Sequence, residues 1–328
     1  MVVVTAILAL AMGEVYMQAT FLPSIFYQFD SELEFTYVPD QKSIVWQGNY
    51  SVPSPPIRIN SDSNRGSETD WSKKMVVALG SSEVMGPGIE DEQTWSANLE
   101  QILRENAGND AIEVVNAGTG GYGPYHHSVA FERILENHDI DSAIIRASVG
   151  DRNFGPPKHI SRKGSLHKFL RDHTVFIRYL INKTNAQVRL IKRAFVPFPF
   201  RKKVNSAHTR TLKLAENMWS ENESYWMRAI EAAIHSEVKL VFLIVNPTNS
   251  DGESYLARRL SELCKTLRYG VVLEIGPQPF GLEDVPPSDR KKVFERNLTL
   301  RYDPHGNPKQ HEVIAESIRD FLVEQQAH

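Results

Sequence analysis

Two stretches of this 328-residue chain carry side chains suited to nucleophilic catalysis. In the first, Gly80-Ser81-Ser82 follows the apolar run Met75-Val76-Val77-Ala78-Leu79. A serine where a strand gives way to a turn presents its hydroxyl at the top of a sheet, with backbone N–H groups near a developing oxyanion. That hydroxyl is a weak nucleophile until a base takes its proton. The second stretch, Tyr302-Asp303-Pro304-His305-Gly306-Asn307-Pro308, offers such a base. Pro304 stiffens the link between Asp303 and His305, and a carboxylate so placed can orient the imidazole and stabilise its charged form. A third stretch, from Asn116 to Gly123, is dense in glycine, which permits positive φ and close backbone approach to a ligand. It lacks the Lys-Ser/Thr ending of a P-loop and does not keep the Gly-x-Gly-x-x-Gly spacing from Gly118. An oxyanion donor therefore suits it better than a phosphate cradle. Each stretch also has a plain structural reading. Gly-Ser-Ser is a common turn, and residues 302–308 could cap a final helix that begins near Asn307 or Pro308.

To meet in space, these stretches need a scaffold. Residues 75–79, 112–115, 142–149, 239–245 and 271–275 are short apolar runs that read as buried parallel strands. Residues 94–106, 129–136, 255–267 and 313–323 carry apolar side chains at helical spacing. The alternation predicts an α/β protein with a doubly wound parallel sheet and helices on both faces. Ligands of such sheets bind beyond the carboxyl ends of the strands. Gly80 to Ser82, Asn116 to Gly121, Gly150 to Asn153, and Asn246 all fall at those ends, so a site is expected there.

The remaining segments shape expectations about organisation. Residues 1–27 open on MVVVTAILALAM, an apolar run of signal-peptide length that is too short to span a bilayer alone. It reads as a signal or membrane anchor, or else as a buried N-terminal helix. Residues 28–72 are rich in Pro, Ser, Asn and Asp and predict an irregular lead-in to a main domain over 73–328. Within that domain, residues 155–235 are basic and aromatic, with helical stretches at 166–179 and 220–234. They predict a helical insertion over the strand ends that shapes a substrate entrance. A formal net charge of -3 presents no field for nucleic acid. The local cluster of Arg189, Lys192, Arg193, Arg201, Lys202 and Lys203 reads as a solvated face or a patch for an anionic partner. Cys264 is the only cysteine, which excludes an internal disulfide and a cysteine metal cluster; its amphipathic surroundings predict a buried helix position. His126 and His127 read as solvated or packing residues rather than a metal pair.

Taken together, the blocks resemble the SGNH (GDSL) hydrolase family, especially its bacterial exported or membrane-anchored members. Leu79-Gly80-Ser81-Ser82-Glu83-Val84-Met85-Gly86-Pro87-Gly88-Ile89 is similar to the first block, and Glu90 to Trp95 continues it. Asn116-x-Gly118-x-x-Gly121-Tyr122-Gly123 is similar to the second, Gly150-Asp151-Arg152-Asn153 to the third, and Tyr302 to Pro308 with His311 to the last. Ile59-Asn60-Ser61 with Arg65-Gly66 resembles the lead-in of the anchored members. The resemblance runs from about residue 37 to the C-terminus and is weakest over 155–235. Two positions depart from the pattern: Ser81 stands where the family has Asp, and the asparagine of the third block is displaced by one, to Asn153.

The resemblance implies an SGNH/flavodoxin-like three-layer sandwich with Ser82 as nucleophile, His305 as general base and Asp303 orienting it. The backbone amides of Ser82 and Gly121, and the side chain of Asn153, would be the oxyanion donors. No metal and no organic cofactor is implied. Asp151 would repel an oxyanion unless Arg152 neutralises it, and Glu83 adds a second negative charge. The implied activity is that of an esterase or deacetylase acting on an ester or an acylated carbohydrate, in an exported or membrane-anchored setting with attachment through the N-terminus. An O-acetyltransferase of extracellular polysaccharide, in which a sugar hydroxyl replaces water, is the alternative enzyme. A non-catalytic descendant that binds a glycan or a protein partner is the alternative of another class. Tyr122, Tyr125 and Phe154 follow the site loops and are candidates to line a pocket.

Overall fold

The computed structural model describes residues 27–44, 46–47, 52–107, 112–151, 207–300 and 303–326, with isolated positions before residue 16. The side chains of residues 46–47, 52–53, 107, 207–211, 303–304 and 325–326 stand outside that description. The lead-in is more regular than its composition suggests. Strand β1 (Tyr27–Asp30) pairs with β2 (Glu34–Tyr37), β3 (Gln41–Ser43) with β6 (Ile57–Ile59), and β4 (Trp46–Gln47) with β5 (Val52–Pro53), all antiparallel. The prolines stay clear of most pairing positions, and Pro53 lies at an edge, where a missing N–H costs little. Asp30 closes the first hairpin by accepting the N–H groups of Glu32 and Leu33 at 2.9 and 2.8 Å.

The rest follows the predicted alternation. In order come β7 (Lys74–Gly80), α1 (Ser82–Met85), α2 (Trp95–Ala107), β8 (Ile112–Gly118), α3 (Pro124–Asn137), β9 (Ser142–Arg146) and α4 (Ala207–His235). They are followed by β10 (Lys239–Val245), α5 (Asp251–Leu267), β11 (Val271–Ile275), α6 (Pro287–Leu298), the short pair β12 (Thr299–Leu300) and β13 (Asp303–Gly306), and α7 (Pro308–Gln326). The five long strands form one parallel sheet in the order β8-β7-β9-β10-β11. Counted along the chain this is 2-1-3-4-5, the flavodoxin-like doubly wound order.

The strands read as unbroken apolar runs because both faces are covered. Along β7, Met75, Val77 and Leu79 enter one core with Phe131 of α3, Trp226 of α4 and Leu256 of α5. Val76 and Ala78 enter the other with Trp95 and Leu99 of α2 and Ile318 of α7. This packing corrects one expectation. Residues 207–235, read as part of a cap over the strand ends, form the crossover helix from β9 to β10. Trp226, Ala229, Ile230 and Ala233 lie fully buried against the sheet. Helical spacing by itself does not say which layer a helix joins. The remainder of the expected insertion, with the basic cluster and Phe154, lies outside the described residues.

Candidate active site

The reversal of strand order places β7 beside β9 at the centre of the sheet, and the crevice at their carboxyl ends is where this fold binds ligands. Ser82 stands there as the first residue of the single-turn helix α1, directly after β7. The turn is tight. Val84 and Met85 both donate their N–H to Ser81 O at 3.1 Å, and Gly86 donates to Ser82 O at 2.8 Å.

Neighbouring elements hold this turn from two sides. Asn116, near the end of β8, donates from Nδ2 to Val84 O at 2.9 Å and to Ser96 Oγ at 3.0 Å; its Oδ1 accepts the N–H of Gly118 at 3.1 Å. From the lead-in comes Arg65, which is buried. It donates to the carbonyls of Met85, Gly86 and Ile89 and pairs with Asp91 at 2.8 Å. Sequence reading singled out Arg65 only as part of a block. The structure supplies its use: a cation that satisfies carbonyls left open at the end of α1.

His305 reaches the serine from the other end of the chain. It sits on β13, and its Nε2 lies 2.9 Å from Ser82 Oγ, a contact between residues 223 positions apart. Asp303 stands two positions earlier on the same strand. Gly121 adopts φ +94°, a conformation that favours glycine. Among the described residues, no acceptor takes the backbone N–H of Ser82 or of Gly121. The neighbouring Gly120 N–H is occupied, donating to Tyr37 Oη at 3.1 Å. Asn153 and Arg152 lie outside the described residues. A cavity of about 100 Å³ opens beside the pair, lined by Ser82, His305, Arg146, Leu243, Val245 and Phe294 among others.

The two acidic side chains expected to disturb an oxyanion are both engaged elsewhere. Glu83 pairs with Arg146 at 2.6 Å, and that guanidinium is buried at the end of β9. Burial pulls Arg146 down, but Glu83, Glu253 and Asp151 outweigh it and hold the group above its ordinary value. Asp151 is turned inward, where it accepts the Ser148 N–H at 2.9 Å and approaches His127 Nε2 at 3.9 Å. The sequence offers Arg152 as a partner for Asp151 and none for Glu83. For Glu83 the structure supplies Arg146, which occupies an apparently apolar strand and gives no local signal. Tyr122 and Tyr125 do not line the cavity; they are buried with Leu33 and Val129 beneath the first hairpin. His126 and His127 are buried in α3, and burial together with His127 lowers His126 to about 4. His311 is likewise neutral, lowered to about 3 by burial and by Arg65 and His305. Its Nδ1 accepts the Trp95 N–H at 2.9 Å, so it caps the start of α2. Cys264 is buried on α5 with its thiol pushed up to about 11 by burial. Among the described residues, no group of His, Cys, Asp and Glu side chains is placed to hold a metal ion.

Glu253 of α5 supports the loop after β9. Its Oε1 accepts from Ser148 Oγ at 3.0 Å and from the Val149 N–H at 3.2 Å. Burial pushes this carboxyl up to about 7, with Arg146 pulling the other way. A raised carboxyl costs stability once it ionises in the folded state. The cost sets in above the unfolded value of about 4 and is complete above about 7. Glu253→Gln is therefore expected to melt with the parent near pH 4. At pH 8 it should be more stable by about 1–3 kcal/mol, as thermal or urea melts at both pH values would show. A variant less stable than the parent at pH 8 would mean that the attraction to Arg146 exceeds the cost of burial.

Fold and site together define an α/β protein with a serine–histidine pair at the switch point of a flavodoxin-like sheet. No family model matches the chain, and no curated protein matches it in sequence. Among solved structures it is similar to the psychrotrophic esterase EstA from Pseudoalteromonas sp., at 11% identity and a TM-score of 0.45, covering 78% of this chain and 100% of that one. It is similar to a lipolytic protein of the G-D-S-L family from Desulfitobacterium hafniense, at 15% identity and a TM-score of 0.42, covering 76% and 99%. It is also similar to a catalytic mutant of Axe2, an acetylxylan esterase from Geobacillus stearothermophilus, at 10% identity and a TM-score of 0.42, covering 75% and 93%. At such identities the chemistry of this chain has to be read from its own residues.

Proposed function

We propose that this chain is a serine ester hydrolase of the SGNH/GDSL type. The observation that carries the reading is the 2.9 Å approach of His305 Nε2 to Ser82 Oγ at the mouth of a cavity. With the ring proton on Nδ1, Nε2 accepts the hydroxyl hydrogen as Oγ bonds to the acyl carbon. The carbonyl electron pair moves onto oxygen, and the open N–H groups of Ser82 and Gly121 receive the resulting charge, with Asn153 assigned as third donor. One such donor is worth about 10²–10³ in rate. His305 then protonates the departing alcohol oxygen as the C–O bond breaks, leaving an acyl-serine. Water completes the cycle: His305 takes its proton, its oxygen attacks the acyl carbon, and Ser82 leaves with that proton. Asp303 is assigned to orient His305 and stabilise the imidazolium. The cavity is smaller than an apolar one that holds a benzene ring, which favours a short acyl group. The apolar residues 1–12 support an exported or membrane-anchored setting. Among the described residues no helix is long and apolar enough to cross a membrane.

The test is covalent labelling by a fluorophosphonate, with the modified residue located by peptide mass spectrometry. Labelling is expected on Ser82 and is expected to vanish in both Ser82→Ala and His305→Ala. A folded parent that takes no label would replace this reading with that of a binding module for a glycan or a protein partner. A labelled parent that acylates a sugar hydroxyl faster than water would make it an O-acetyltransferase.

A further inference from the structure

The cavity beside Ser82 is not apolar throughout. Leu243, Val245 and Phe294 form one part of its wall, and Arg146 and Glu83 bring charge to another. Arg146 ends β9 after the apolar Ala143, Ile144 and Ile145, and its side chain is only 6% exposed. Taking a guanidinium out of water is costly, and an apolar side chain at that place would hold the strand as well or better. Service to Glu83 does not account for the burial, because that carboxylate is 49% exposed and needs no buried partner.

The guanidinium has donors to spare. Its Nη1 donates to Ala147 O and its Nη2 meets Glu83, which leaves the Nε–H without a described partner. His311 lines the same cavity, and because its Nδ1 accepts the Trp95 N–H, its ring proton is on Nε2. Three carboxylates act on Arg146: those of Glu83, Glu253 and Asp151. Glu253 and Asp151 are tied to the loop after β9, where they accept from Ser148 and from the Val149 N–H. Glu83 has Arg146 as its one described partner, and half of its side chain already meets water. It is the carboxylate that can be exchanged.

We infer that the acyl group taken by this site carries a carboxylate of its own, as the succinyl group of a hemiester does, and that Arg146 receives it in place of Glu83. The inference rests on the ester-hydrolase reading of Ser82 and His305. An added carboxylate would crowd Glu253 and Asp151. An exchanged one leaves the charge around Arg146 as it was, while Glu83 turns into water. A planar guanidinium matches a carboxylate through parallel N–H bonds, which fixes the orientation of the acyl chain as well as holding it. The volume of about 100 Å³ suits a chain this short. Hydrolysis then yields the alcohol and a dicarboxylate, with one proton released to water.

The experiment compares a monosuccinate and a butyrate ester of the same alcohol on the full chain, on Arg146→Met and on Glu83→Gln. The parent is expected to show the higher kcat/KM for the monosuccinate. In Arg146→Met the ratio of kcat/KM for monosuccinate to that for butyrate should fall at least about thirtyfold, through a higher KM for the monosuccinate. Glu83→Gln keeps the cation and weakens its internal competitor, so there the ratio should rise about three- to tenfold. That variant decides the matter even where Arg146→Met does not fold. A parent that turns over butyrate in preference to the monosuccinate, or a ratio unmoved in Glu83→Gln, would overturn the inference and leave the hydrolase reading standing. A purely structural role for the pair would change turnover of both esters alike and leave the ratio where it was. A parent inert toward both esters and unlabelled by fluorophosphonate would overturn the ester-hydrolase reading and this inference with it.

Discussion

Ser82→Ala is expected to lower kcat for ester hydrolysis on the order of 10⁴-fold or more, and His305→Ala by a similar factor. The two side chains act as a unit: the hydroxyl without its base is a poor nucleophile, and the base without the hydroxyl has nothing to deprotonate. The double variant should therefore fall no further than either single one. Residual activity in all three would come from the amides of Ser82 and Gly121, which neither substitution touches. Folding should survive, because Ser82 is only partly buried and its side chain meets His305 rather than the core. Steady-state kinetics on a short-chain ester, with a thermal melt of each variant, checks both parts. Additive losses in the double variant would show that the two residues act in separate steps, and full activity in Ser82→Ala would move the nucleophile elsewhere.

Among the described glycines, Gly118→Ala is expected to cost the most stability, about 3–5 kcal/mol, and to abolish labelling of Ser82 with it. A Cβ at this position would come within 2.8 Å of the Val84 carbonyl carbon and closer still to the Met85 nitrogen. Both are backbone atoms of α1, so no side chain can swing aside; the turn bearing Ser82 must move or β8 must leave the sheet. Gly120→Ala is the comparison. Among the described residues its Cβ meets nothing nearer than 3.8 Å, and its stability should change by less than about 1 kcal/mol. Urea unfolding of the two variants separates the cases. If Gly118→Ala kept the parent's stability and label, then the close seating of α1 on β8 would not be what holds the nucleophile in place.

How much of this was legible beforehand depends on the range of the interaction concerned. The five strands and most helices were readable because burial on both faces leaves unbroken apolar runs, while burial on one face leaves helical spacing. The helix α3 was read too short, from 129 rather than Pro124, because His126 and His127 look polar in sequence yet are buried. Helix α6 was missed, being mostly exposed and charged, with Leu298 its one buried residue. The lead-in was read as irregular because its strands are two to four residues long and complete their apolar packing against distant residues such as Met85, Tyr122 and Val129.

The site divides along the same line. The chain order alone determined that polar and glycine residues gather at the carboxyl ends of the strands, and the spacing of the blocks around Ser82, Gly121 and His305 pointed to one chemistry. Only the tertiary structure decided that His305 closes on Ser82 across 223 residues, that Arg65 clamps the turn, and that Arg146 neutralises Glu83. The physical reason is common to all three. Backbone propensity and hydrophobic period act over a few residues and leave their mark in adjacent letters. An ion pair or a hydrogen bond between distant segments leaves none, because an arginine on a buried strand looks the same in sequence whether or not a glutamate waits across the crevice.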